Sequence, residues 1–450
     1  MSFMMAFGWA GVMLCVGVFL RSKVSILRNM LVPASVIGGM MGFLFFNISI
    51  GAGLEIGTDT GMYTAIVNNL FTISFISISL TGTGEKGKTS VTIFKGAVAL
   101  GLIWCLLYAL TPMLAVAVIA LAGKAVDMDA IYGMLIQFAF CQGPGQAAAY
   151  GGLFEQYGWQ DASMVAVTFA AIGFLVAFLI GIPAAIYGVK KGLARHCGKI
   201  DAQLLKGYMN KEEQAEYTLK ETTCSSNLET LAFHFAVIGV CYILAVGISK
   251  IFSYLPGFLG TSMSGLMFMN GMYAAYILKW IMGKLRIDFL LDDGLQRRIT
   301  GWTADYLVIC SFMGVSMKVV GRWILPIILV SLVTAIVTFG ICFYFGQRIG
   351  GAHDFERTLG LYGTCTGTVP SGISLVRIVD PALRTTTNLE LGACNLVMLA
   401  STPVYMMILA AAAGSMSLGA AMTGLAGCCV IYLLALKLTK SWGRKTYSWK

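Results

Sequence analysis

The sequence predicts an all-α polytopic membrane protein: two inverted repeats of five transmembrane helices plus one re-entrant hairpin each, followed by one extra C-terminal transmembrane helix. Three observations carry that expectation. Of 450 residues, 58% are apolar and only 12% are charged, where soluble domains carry roughly 25% charged residues. Mean hydropathy is +0.80, and apolar runs of about 18 or more residues recur along the chain, enough to cross a bilayer as helices. Two segments interrupted by Gly, Pro and polar residues fall at corresponding places in the two halves.

Eleven full spans are expected, near 3–20, 31–51, 62–80, 91–121, 160–188, 228–252, 257–280, 299–317, 323–346, 387–413 and 416–438. The first lacks a basic n-region and an A-x-A-like cleavage site, so it reads as a retained span and not a signal peptide. The interrupted segments, 128–157 and 353–383, make poor lipid-facing spans, because freed backbone groups in hydrocarbon need protein or water partners. They read as re-entrant hairpins.

The formal net charge of +10 suggests no nucleic-acid partner, since the basic residues sit in short connections between apolar runs. With the N-terminus outside, 27 Lys and Arg fall in inside connections and only Lys124, Lys250, Lys318 and Arg322 fall outside. Such asymmetry favours N-out, C-in and an odd number of spans in the cell membrane. Most of the twelve cysteines lie in apolar or hairpin segments, where Cys acts as a small hydrophobe. No Cys/His set has zinc spacing.

The two hairpins then enter from opposite sides. Residues 1–188 form the first repeat, 189–227 a cytoplasmic linker, 228–413 the second repeat, and 414–450 the extra helix with a basic tail. Leu70, Ser74, Phe75 and Ser79 of the third span echo Leu307, Ser311, Phe312 and Ser316 of the eighth. Inverted repeats with broken segments in matching slots are the pattern of secondary transporters.

The first hairpin tip reads Cys141-Gln142-Gly143-Pro144-Gly145-Gln146-Ala147-Ala148-Ala149-Tyr150; the second reads Gly363-Thr364-Cys365-Thr366-Gly367-Thr368-Val369-Pro370-Ser371-Gly372. Glycines permit a sharp reversal, and Pro144 and Pro370 fit the first turn of a half-helix, where a missing N–H costs nothing. A half-helix that starts in mid-membrane offers free N–H groups and its positive dipole end to an anion. The substrate-binding candidates are therefore Gln142, Gly143, Pro144, Gly145, Gln146, Gly367, Thr368, Pro370 and Ser371. Hydroxyls of Thr364, Thr366, Thr368 and Ser371 are hard oxygen ligands suited to sodium. Asn68 and Asp305, at repeat-related positions, are further cation-binding candidates, because an acid inside a span is costly and usually functional; the plainer alternative is that Asp305 lies near the inner surface and pairs with Arg297 or Arg298.

At these tips the chain resembles the bacterial sodium/glutamate symporter family. That family's first hairpin typically reads Gly-Gly-His-Gly-Thr-Gly-Ala-Ala-Trp, then Leu-Phe and Tyr-Gly. Here residues 142–150 occupy that slot, followed by Leu153-Phe154 and Tyr157-Gly158. A second motif, a Gly-rich run ending Ala-Thr-Pro-Thr, is similar to Gly367-Thr368-Val369-Pro370-Ser371, and Pro33 with Gly38-Gly39 resembles the family's Pro-x-Pro-Val-x-Gly-Gly. The resemblance spans about residues 1–413 and implies a homodimeric elevator-type carrier that moves glutamate or a related small carboxylate inward with sodium. Sodium would be the coupling ion, with no other cofactor. The hairpin departs from the family where Pro144 replaces its His, Gln146 its Thr and Gln142 its first Gly, which leaves open a proton-coupled carrier of a different small organic anion.

Other residues read more plainly. Glu390 reads as interfacial and His234 as packed or interfacial. Arg377, ending the second hairpin, fits either a topogenic role or a substrate carboxylate. An intramembrane enzyme would need a nucleophile with its base, an HExxH pair or a carboxylate dyad at mid-membrane. The sequence contains none, and no repeat resembles a channel filter, so the protein is not expected to be an enzyme.

Overall fold

The computed structural model describes residues 2–25, 27, 32–54, 59–81, 91–194, 196, 221–223, 227–380 and 384–448. Among them the chain is all-helical, with no strand. Most of the expected linker, from 197 to 220, lies outside the described residues.

The first part of the chain forms α1 (Ser2–Lys23), α2 (Ala34–Gly51), α3 (Thr60–Leu80) and α4 (Val91–Ala122). Two short 3₁₀ turns then lead into α5 (Ile136–Phe140), α6 (Pro144–Gln156) and the long α7 (Ala162–Lys190). The second part contains α8 (Thr230–Phe252), α9 (Gly257–Gly265), α10 (Met267–Lys284), α11 (Asp293–Met313), α12 (Met317–Val320) and α13 (Ile324–Gly346). It continues with α14 (Asp354–Thr366), α15 (Val369–Val379), α16 (Thr387–Met398), α17 (Thr402–Ala412) and α18 (Leu418–Leu438).

Nine helices among the described residues are long and apolar enough to cross a membrane, against the eleven expected. Two segments account for the difference. The expected span 257–280 is interrupted at Leu266 (φ −83°, ψ 68°), which separates α9 from α10. The expected span 299–317 starts earlier, as α11, and carries Asp293, Arg297, Arg298 and Asp305 on one helix. That charge load removes it from the purely apolar class.

Helix starts at the ends of spans are closed by side chains, as orphan N–H groups require. Asp59 accepts from Met62 N (2.9 Å), Glu229 from Ala232 N (3.0 Å) and Asp292 from Leu295 N (2.7 Å). His234 is fully buried and satisfied at both nitrogens. Its Nε2 accepts from Asp292 N (2.8 Å), so Nδ1 is protonated and donates to Thr230 O (2.7 Å). It is a packed histidine.

Within lipid, close packing and hydrogen bonds hold helices together more than the hydrophobic effect does. Accordingly α3 packs on α11, α10 and α6, while α4 packs on α16, α13 and α18. The long α7 lies against α5, α6, α14 and α15 and so joins both helical hairpins. Trp104, Tyr108, Phe138, Phe140, Phe154, Phe169 and Tyr362 fill the centre and are essentially inaccessible.

A buried ion network lies at the base of the second hairpin. Arg357 donates through Nε and Nη2 to the two Glu390 oxygens (2.6 Å each) and through Nη1 to Asp354 Oδ1 (3.0 Å). Glu390 is inaccessible, and its carboxylate lies where a Cβ at Gly96 of α4 would fall. Glu390, expected to be interfacial, sits inside the protein as the fork partner of an arginine. Arg357, counted above with the topogenic cations, is buried as well. The chain end fastens to the same place. Thr446 donates through its hydroxyl to Asp354 Oδ2 (2.8 Å) and through its N–H to Gln347 O (2.8 Å), while the Tyr447 hydroxyl meets that of Thr358 (2.7 Å).

Candidate functional site

Each hairpin is a helix broken at glycine. In the first, α5 ends at Phe140, the chain turns through Cys141 and Gln142, and Gly143 adopts φ 85°, ψ −176° before Pro144 opens α6. That conformation is open essentially to glycine alone. In the second, α14 ends at Thr366, and Gly367 (φ −146°, ψ −98°) and extended Thr368 lead to α15, with Pro370 in its first turn. Gly143 and Thr368 are the N-cap residues of α6 and α15, and neither helix start has a side-chain cap.

The two tips meet. A Cβ built on Gly143 would lie 2.3 Å from Thr368 Cγ2 and 3.3 Å from Gly367 O. Cys141 Sγ approaches Cys365 O at 3.8 Å. On α7, Gly173 lets the Thr366 carbonyl come within 2.7 Å of where its Cβ would be, and on α3 the Phe71 ring lies directly on Gly145. Two helix N-termini without side-chain caps thus converge, that of α6 buried and that of α15 half-buried, each equivalent to roughly half a positive charge. The arrangement suits a small anion.

The first tip is held by aromatic residues. Trp104 and Tyr108, one turn apart on α4, stack with centroids 4.6 Å apart and planes 17° apart. Trp104 Nε1 donates to Cys141 O (3.1 Å), and the Tyr108 hydroxyl bonds Gln142 Oε1 (3.1 Å). Phe138 stacks on Tyr150 at 3.7 Å and clamps α5 to α6. The i, i+4 aromatic spacing of Trp104 and Tyr108 is a visible signal of a shared helix face, but nothing in one sequence says what that face holds. The sequence alone therefore singles out neither residue.

The structure brings together Gln142, Gly143, Pro144, Gly145, Gln146, Gly367, Thr368, Pro370 and Ser371 on the two tips. Gln142 and Thr368 are half-buried, Gln146 and Ser371 buried, and Pro370 exposed. Gln146 Oε1 has no hydrogen-bond partner among the described residues. Thr364 and Thr366 are buried on α14, where their hydroxyls donate to Gly360 O (2.8 Å) and Tyr362 O (2.7 Å). Their oxygen lone pairs stay available to a cation. Asn68 and Asp305 belong to a different setting: both are exposed, on the packed pair α3 and α11. Arg377 is exposed at the end of α15. No set of three or more His, Cys, Asp or Glu among the described residues could hold a metal ion.

The family model described as sodium/glutamate symporter covers residues 1–372, which takes in the first hairpin whole and the second through its tip. No curated protein matches the chain.

Proposed function

We propose, on the premise that this chain belongs to the sodium/glutamate symporter family, that it imports glutamate or a closely related small carboxylate with sodium. Membership makes it a membrane transporter of the sodium-coupled glutamate class, with sodium as the coupling ion. The finer reading concerns how this chain does it.

One observation carries that reading: the contact between Gly143 and Thr368, which points two uncapped helix starts at one spot. A carboxylate there would accept N–H bonds from both half-helices, and low-dielectric surroundings would strengthen them. The Gln142 and Gln146 amides would grip the rest of the molecule. Sodium would sit on oxygens of Thr364, Thr366, Thr368 and Ser371, or on Asn68 and Asp305, and would offset the solute's negative charge in the protein interior. Sodium and solute would then favour each other's binding, which is how a symporter couples one to the other.

Alternating access follows from the same parts. We read the chain as two inverted repeats, 1–188 and 228–413, whose hairpins enter the membrane from opposite sides and move as one unit in an elevator step. The protein would work as a homodimer in the cell membrane, N-terminus outside and C-terminus inside. Uptake of labelled glutamate into proteoliposomes under an inward sodium gradient tests the function. The reading requires sodium-stimulated accumulation. Accumulation driven equally well by a proton gradient in sodium-free buffer would replace sodium with the proton-coupled alternative.

A further inference from the structure

We infer that Tyr108, with Trp104, sets the hydrogen-bonding polarity of the first hairpin tip, so that this tip offers a donor at Gln142 and an acceptor at Gln146. The inference rests on the tips being the solute site, as proposed above.

The direction of the Tyr108 bond follows from burial. Tyr108 is inaccessible, and Gln142 Oε1 is its hydrogen-bond partner at 3.1 Å. A buried hydroxyl proton without an acceptor costs the desolvation of that group, whereas an amide N–H₂ on a half-buried side chain can find a partner elsewhere. Tyr108 therefore donates and Gln142 accepts. With Oε1 held, the orientation of the carboxamide is settled and its N–H₂ is turned to the other side. Trp104 Nε1 secures the adjacent backbone at Cys141 O, so side chain and main chain of the tip hang from one stacked pair on α4.

Gln146 supplies the opposite polarity. It occupies the third position of α6, where a Gln ordinarily reaches back to the N-cap N–H to close a capping box. Here the Gly143 N–H is already given to Ala139 O (3.0 Å). The Gln146 oxygen is left buried with no partner among the described residues. A donor at 142 and an acceptor at 146 complement a solute that presents an acceptor and an N–H side by side. An amino-bearing carboxylate meets that requirement; the same dicarboxylate without its amino group meets half of it. Tyr108 touches no solute in this scheme. It is a positioning residue that acts through Gln142.

Counterflow of labelled glutamate in proteoliposomes, competed by unlabelled glutamate or glutarate, tests this on the full chain. Wild type should prefer glutamate. Tyr108→Phe keeps the ring and loses the hydroxyl; it should raise the apparent glutamate constant about fivefold to tenfold, the worth of one hydrogen bond, with the maximal rate retained. The double variant Tyr108→Phe with Gln142→Ala should be no worse than Gln142→Ala alone, because Tyr108 acts through that side chain. Additive losses, or unchanged constants in Tyr108→Phe, overturn the inference. If Tyr108→Phe fails to assemble, Gln142→Glu decides: replacing the donor by an acceptor must weaken glutamate binding, and an unchanged constant overturns the inference. A wild type that takes glutarate as readily as glutamate overturns it too. Failure of the underlying site reading looks different: a Gln142→Ala and Gln146→Ala variant would then keep wild-type constants for every solute.

Discussion

Gly143 and Thr368 occupy the N-cap positions of two different helices and lie against each other, so closely that a Cβ on Gly143 would fall 2.3 Å from the threonine methyl. Gly143 also holds φ 85°. Gly143→Ala should therefore suffer twice, from backbone strain of about 1–3 kcal/mol and from pushing the tips apart. The expected outcome is a more than tenfold loss of transport in a protein that still inserts. Transport at the wild-type rate would mean that the tips can separate without consequence.

Sodium activation should depend on the second tip. Replacing Thr364, Thr366, Thr368 and Ser371 singly by Ala should raise the sodium concentration for half-maximal uptake severalfold in at least two of them. Maximal glutamate uptake at saturating sodium should change less. If all four variants keep the wild-type sodium dependence, the ion site moves to Asn68 and Asp305 on α3 and α11.

The buried fork between Arg357 and Glu390 makes a prediction about stability. Glu390→Gln leaves a buried guanidinium with half its charge partner gone, and breaking such pairs costs about 3–5 kcal/mol. Because Asp354 is also paired with Arg357, replacing all three, Asp354→Asn, Arg357→Met and Glu390→Leu, should be less damaging than Arg357→Met alone. Melting of the purified protein in detergent reads this directly. Equal or additive losses would show that the pair does not act as a unit.

The chain end braces the second hairpin through Thr446 and Tyr447. Removing residues 440–450 should lower the melting temperature by a few degrees and leave the sodium dependence of transport as it was. A truncation that changes sodium dependence would make the tail part of the transport machinery.

Orientation can be checked on described positions. Cysteine at Leu54 should react with an impermeant reagent added outside intact cells, and cysteine at Lys191 only after the membrane is opened. The reverse pattern would invert the topology and with it the directions assigned to both hairpins.

The breaks at both tips were legible because Gly and Pro act locally: a helix cannot pass Gly143-Pro144 or Gly367 without consequence, whatever surrounds it. Long apolar runs were legible for the same reason. The interruption at Leu266 was missed although Gly260, Ser262, Ser264 and Gly265 just before it are local signs of a break. Arg357 and Glu390 illustrate a second limit. They are 33 positions apart; charge counting placed Arg357 in an inside connection and Glu390 reads as the start of a span, whereas their pairing is a tertiary fact. Tyr108 illustrates a third: its aromatic face was visible, but its partner Gln142 lies 34 residues on and across a turn. Thr364 and Thr366 were chosen for their oxygens, and only the structure shows that both hydroxyl protons go to their own helix.

Equilibrium binding of labelled glutamate to the purified protein tests the central claim most directly, in sodium and in sodium-free choline buffer. Wild type and variants altered at one tip each, Gln146→Ala on the first and Ser371→Ala on the second, should be compared. The converging helix starts predict saturable binding that needs sodium and weakens at least severalfold when either tip is changed. Sodium-dependent binding of undiminished affinity in both variants would contradict it.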